Sequence, residues 1–210
     1  MEYFDPRSIE KQSLAIIRAH LAGWNTSSPQ ELSVIERVIH ATADLAYRDL
    51  LVFSHDAVPR GIQALREGYR IITDVHMVAT GINKRLCKAL QVEVRCYLRA
   101  PGEGKGEEEG LTRSMVAMKR AVEEEGDGIY VVGNAPTALF TLLECMEQGM
   151  VAPKLVVGVP VGFVGASEAK ASLRRFSVAS ITTRGPKGGT PVAVAIMNAL
   201  LAMAVGGEYG

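Results

Sequence analysis

The chain has 210 residues, 48% of them hydrophobic, and carries 23 basic against 23 acidic side chains, a formal net charge of zero. That length and apolar content suit one domain, or one large domain with an arm, built on a sizeable core. The charge balance leaves no global field to attract nucleic acid or an anionic membrane, so an anionic ligand must be held by local donors.

Asp5 is placed to cap a first helix, with Pro6 at its first position. Ile9, Ile16, Ile17 and Leu21 then recur at helical spacing. Ser28-Pro29-Gln30-Glu31 reads as a capping box. It opens a helix over 29–43 whose buried stripe is Leu32, Ile35, Val38, Ile39 and Thr42. Beyond it, 50–53 reads as a strand, 57–67 as a helix, and 70–73 and 93–98 as strands. Residues 100–110, with four glycines and four glutamates, read as a mobile surface loop. A helix follows over 112–125.

The second half repeats one pattern three times. Apolar runs at 128–132, 155–159 and 177–182 are each followed by a turn-rich loop and a helix. The last helix takes in the longest apolar stretch, Pro191 to Val205, which contains Asn198 and is too short to span a bilayer comfortably. The prediction is an α/β fold: three layers, a mainly parallel sheet with helices on both faces, plus an N-terminal helical segment over about residues 5–45. In such sheets ligands sit beyond the carboxyl ends of the strands. The loops at 133–136, 159–168 and 184–189 fall at that edge.

Candidate chemistry comes from a few residues. Arg184, Lys187 and the Gly188-Gly189 pair precede a helix start, where backbone N–H groups and fixed cations suit a carboxylate or phosphate. An ordinary turn with two solvated charges explains them equally well. Gly158, Gly162 and Gly165 do not have the dinucleotide spacing, and the Walker-type phosphate loop is absent, so a nucleotide enzyme loses its best support. On a helical wheel, His40 falls about 140° from Ile35, beside Ser33, Glu36 and Asp44 and away from the core stripe. It is either a solvated histidine or a proton donor in a cleft or subunit contact, since imidazole exchanges protons near neutrality. Ser13 shares the apolar stripe of its helix, where most serines bond back to a carbonyl four residues earlier. Cys87, Cys96 and Cys145 are too few and too scattered for a disulfide framework or zinc site, and the four histidines have no metal-ligand spacing. With no apolar signal core in the first residues, a reducing cytoplasm is expected.

The same segments resemble the precorrin-8X methylmutase family of cobalamin biosynthesis. The resemblance runs from about Pro6 to Ala204. It is carried by Val38–Asp44, Asp74–Ile82, Thr112-Arg113-Ser114, VGNAPTALF at 132–140, PVGFVGA at 160–166 with Glu168 and Lys170, and Thr183-Arg184-Gly185 with Gly188-Gly189. It implies a 1,5-sigmatropic shift of a methyl group from carbon 11 to carbon 12 of the tetrapyrrole, with His40 as general acid. Substrate contacts are implied at Ser13, Arg113, Ser114, Asn134, Thr137, Gly162, Gly165, Arg184, Gly188 and Gly189. The resemblance further implies a homodimer with the site near the subunit contact, no organic cofactor and no protein-bound metal. Cobalt would enter only as part of the substrate. Asn83 stands where some relatives have a hydroxyl. A non-catalytic corrinoid carrier would keep the same slot and loops without the proton donor.

Overall fold

A strand such as Ile129–Val132 or Leu155–Gly158 offers water no polar face, so it is stable only when covered on both sides. The computed structural model describes residues 6–23, 28–98 and 110–207, and in it these runs are central strands. The first half contains α1 (Pro6–Leu21), α2 (Pro29–Thr42), the single turn α3 (Tyr47–Leu50), β1 (Leu51–Ser54), α4 (Ala57–Arg66) and β2 (Ile71–Thr73). Next come α5 (His76–Gly81), α6 (Lys84–Leu90) and β3 (Val94–Cys96). The second half contains α7 (Arg113–Glu125), β4 (Ile129–Val132), α8 (Pro136–Glu147), β5 (Leu155–Gly158), α9 (Ala166–Leu173), β6 (Ser180–Thr183) and α10 (Thr190–Ala204).

The six strands lie in the order β1-β6-β5-β4-β2-β3. All neighbours are parallel except β1, which runs antiparallel to β6 with Leu51 opposite Thr183 and Ser54 opposite Ser180. Side chains alternate across each strand and divide the core in two. Ile129, Val131, Val157 and Ile181 join the cluster under α2, α4 and α10. Tyr130, Val132 and Val156 join the cluster under α7, α8 and α9. The expected parallel sheet with a helical layer on each face is therefore present, with one antiparallel edge strand that the sequence did not announce.

The N-terminal segment follows the expected helices but not all of their faces. Ser28 caps α2 by accepting the N–H of Gln30 at 3.2 Å. α2 buries Val34, Ile35, Val38 and Ile39 and packs along α10. Glu36, placed on the outer face by the wheel, is buried, because α1 lies over that face and Arg18 meets the carboxylate at 3.1 Å. In α1, Leu14, Ile17 and Leu21 turn inward, whereas Ile9 and Ile16 are 50% and 61% exposed, against the expected stripe. The short helices α3, α5 and α6 carry too few turns for a periodic signal. The Asp5 cap and most of the glycine- and glutamate-rich loop lie outside the described residues.

α10 is largely buried, and the polar residue in its middle, Asn198, answers a neighbour. Asn198 accepts the N–H of Asn83 at 2.8 Å and donates to the carbonyl of Gly81 at 3.1 Å, which fixes the junction of α5 and α6. Asn83 itself caps α6 by accepting from Arg85 and Leu86. Replacing Asn198 by leucine leaves that amide and carbonyl unpaired, so urea unfolding should report a loss of about 1–3 kcal/mol. A loss near zero would mean that water satisfies both groups.

Candidate active site

Because β2, β3, β4, β5 and β6 are parallel, their following loops leave the sheet at one edge. The antiparallel β1 delivers the end of α2 to that same edge, since its first residue, Leu51, sits opposite Thr183 at the end of β6. His40 occupies the last turn of α2 and is half-buried. Its Nδ1 lies 3.0 Å from Oγ of Ser13 on α1. The expected back-bond of Ser13 to its own helix is thus replaced by a link between helices. Among the described residues, Nε2 of His40 has no hydrogen-bond partner. A serine hydroxyl both donates and accepts, so it orients the ring in either protonation state.

Two contacts bind this helix end to the loop after β6. Lys187 makes an ion pair with Asp44, and its ammonium holds the Asp44 carboxyl below the usual carboxylate range. The hydroxyl of Tyr47 donates to the carbonyl of Gly188 at 3.4 Å. Ala43 allows the approach by turning the chain out of the helix in a left-handed conformation, φ 53°.

The glycines act on shape more than as donors. A Cβ on Gly188 would overlap the carbonyl oxygen of Val159, so only glycine lets the loops after β5 and β6 close together. The N–H of Gly189 donates to Val159 at 2.8 Å, and that of Gly162 donates to Pro186 at 3.1 Å. At the next loop, the buried carboxylate of Asp74 accepts from Gly133, Asn134 and Ala135 at 3.0, 2.8 and 2.8 Å. Burial raises the proton affinity of Asp74, and the three donors oppose that rise. The amides of Gly133, Asn134, Gly162 and Gly189 are therefore already bound to protein acceptors.

Several candidates gather beyond β4 and β5. Thr137, in the first turn of α8, sits 3.1 Å from Thr112, the residue that caps α7. Arg113 and Ser114 follow in the first turn of α7, and Asn134 is exposed in the loop between β4 and α8. Gly165 begins α9 in a left-handed conformation, where an added Cβ would come into van der Waals contact with Phe140 and Pro136. Arg184 is exposed beyond β6. So the structure groups His40, Ser13 and Gly188-Gly189 at one end of the edge, and Thr137, Arg113 and Ser114 beyond the neighbouring strands.

Three residues that matter here had no place among the candidates: Asp74, Tyr47 and Lys170. Lys170 had a visible signal, because it lies on the inward stripe of α9 with Ala166, Ala169 and Leu173. It is fully buried, and its Nζ donates to Oγ1 of Thr183 at 3.0 Å and to the carbonyl of Lys187 at 2.7 Å. Among the described residues, no group of three or more His, Cys, Asp or Glu is placed to hold a metal ion. None of the described helices is long and apolar enough to cross a membrane.

Comparison with known proteins turns this geometry into a family. The model of the precorrin-8X methylmutase family matches residues 8–203. The chain belongs to the precorrin-8X methylmutase family. It is 46% identical to the cobalt-precorrin-8 methylmutase of Methanocaldococcus jannaschii over 181 residues, covering 86% of this chain and 83% of that one. It is 45% identical to the cobalt-precorrin-8 methylmutase of Salmonella typhimurium, covering 93% and 94% of the two chains. The crystal structure of precorrin-8x methyl mutase from Thermus thermophilus superposes with a TM-score of 0.85 at 39% identity, over 96% of this chain and all 100% of that one. As a member of a family of methylmutases, the chain is an enzyme of the isomerase class.

Within this methylmutase fold, Lys170 carries a strong electrostatic signature. Burial, and then the charge of Arg174, lower its pKa from 10.5 to about 8. The folded chain therefore releases this proton before the unfolded chain does. The cost of burying the ammonium is fully present below pH 8 and is relieved as pH rises from about 8 toward 10.5, by up to about 3 kcal/mol. Unfolding of the wild type and of Lys170→Met near pH 7 and near pH 10 checks the sign: the wild type should gain on the variant as pH rises. A stability gap independent of pH would show that Lys170 titrates as an ordinary lysine.

Proposed function

We propose that the chain moves a methyl group from carbon 11 to carbon 12 of precorrin-8X, or of its cobalt form, by a 1,5-sigmatropic shift, giving hydrogenobyrinate or cobyrinate. His40 is the general acid. The observation that carries this reading is the Ser13–His40 pair, 3.0 Å apart and half-buried where the loops of the parallel strands converge. Family membership supplies the substrate class, since the relatives are cobalt-precorrin-8 and precorrin-8X methylmutases by name.

The chemistry asks little covalent work of the protein. The migrating carbon leaves one ring carbon as it bonds to the next, and the conjugated system reorganises around it. A proton delivered to the ring nitrogen beside the migration site makes the macrocycle more electron-poor and favours the shift. Ser13 holds Nδ1 of His40, which leaves Nε2 to deliver that proton. The protein's other contribution is to hold a large flat ring in one pose. Its carboxylates meet Arg113 and Arg184, with Ser114, Asn134 and Thr137 as polar partners. Gly162, Gly165, Gly188 and Gly189 shape the slot. In this reading no organic cofactor and no protein-bound metal takes part, and cobalt enters only within the substrate.

Two copies are proposed to meet near this site. The exposed Ile9 and Ile16 flank Ser13 on α1, and Phe163 and Val164 are 97% and 89% exposed on the loop after β5. Apolar groups of this size on a surface favour a partner. The cytoplasm is the proposed location, and nucleic acid and membrane have no part in the reading.

The test is single-turnover conversion of precorrin-8X or cobalt-precorrin-8, followed by the change in absorption spectrum. His40→Ala should lose about a hundred- to ten-thousand-fold in rate while still binding product. Ser13→Ala should lose less, because the acid remains and only its orientation is relaxed. A His40→Ala enzyme at full rate removes the acid. A wild type that binds but never converts is a carrier.

A further inference from the structure

The fully buried lysine of α9 lies outside the catalytic step, yet it touches the loop that reaches His40. Lys170 is as buried as the largest core side chains. Its partners are a hydroxyl and a carbonyl, not a carboxylate, and the charge that acts on it is that of a second cation, Arg174. Arg174 in turn reaches Thr182 and the carbonyl of Thr183, each at 3.5 Å, and feels the charge of Arg184. An unpaired buried ammonium is costly, and an apolar side chain of similar volume would fill the space without that cost. Packing therefore does not account for the amine.

Its contacts do. The Lys187 carbonyl accepts from Nζ of Lys170 at 2.7 Å and from Oγ1 of Thr183 at 2.6 Å, and Thr183 in turn accepts from Nζ. These three groups form a closed triangle at the base of the loop between β6 and α10. The side chain of Lys187 leaves from that point to Asp44, and the next carbonyl, that of Gly188, accepts from Tyr47. Asp44 and Tyr47 follow His40 by four and seven residues. Two hydrogen bonds need only two N–H groups, so the triangle persists whether the amine is charged or neutral.

We propose that Lys170 is a positioning residue for the methylmutase reaction: by holding the Lys187 carbonyl it sets the β6–α10 loop against the end of α2 and fixes the substrate pocket beside His40. This rests on the reading that this edge binds the tetrapyrrole, but one of its two measurements needs no ligand. In Lys170→Met the shape is kept and both donors are lost. Thr183 still satisfies the Lys187 carbonyl, so the fold survives and thermal stability at neutral pH is unchanged or higher.

Amide hydrogen exchange of the free variant should be about tenfold faster at 184–190, with α9 and β5 as in the wild type. In turnover of cobalt-precorrin-8 or precorrin-8X, KM should rise about tenfold, with kcat changed far less. Thr183→Val, which removes the second corner of the triangle, should reproduce both effects, and it carries the test if Lys170→Met does not fold. Unchanged exchange at 184–190 overturns the proposal. So does a variant with wild-type KM, or one that loses only kcat in proportion to a loss of folded protein. If the wild type itself fails to turn over either substrate while exchange responds as stated, the loop assignment stands and the proposed function falls.

Discussion

The orientation of one edge strand decides which loops His40 can meet. Had β1 run parallel to β6, the chain entering it would have arrived at the amino edge of the sheet. His40 would then lie a strand's length from the loops. Because Leu51 faces Thr183 instead, the last turn of α2 comes down beside the loop after β6, where the Lys187–Asp44 and Tyr47–Gly188 contacts hold it. Each contact is modest, since an exposed ion pair contributes roughly 0–1 kcal/mol. Their effect is geometric: they choose which loop the histidine faces.

A second constraint follows from packing parallel strands tightly. Buried N–H groups in loops this close to the sheet need protein acceptors. Asp74 takes three of them, Val159 takes that of Gly189, and Pro186 takes that of Gly162. These five donors build the rim itself. In the proposed reading, side chains such as Arg184 and Arg113 recognise the carboxylates, which suits a ligand whose charges are spread around a wide perimeter.

The strands and long helices were legible because burial on both faces writes continuous apolar runs, and amphipathic packing writes a 3.6-residue period. The direction of β1 was not legible, because Leu51–Ser54 reads the same in either orientation. The wheel placed His40 off the core correctly but put Glu36 in solvent, since a wheel cannot see that α1 covers that face. Ser13 was singled out for an apolar setting that proved to be a contact with His40. Lys170 could have been found, because a lysine on the inward stripe of α9 breaks the pattern. Asp74 could not, because its partners are 59 to 61 positions away along the chain.

The bonds from Gly189 to Val159 and from Gly162 to Pro186 have an evolutionary cost. They stitch two loops into one wall, close enough that a side chain on Gly188 would force the Val159 carbonyl, and with it the facing loop, to move. Substitutions around 160–165 and 184–189 should combine non-additively, as expected for neighbours sharing partners. Variation that retunes the pocket for a differently decorated ring would have to come from paired changes across the two loops, or from side chains that point off the wall.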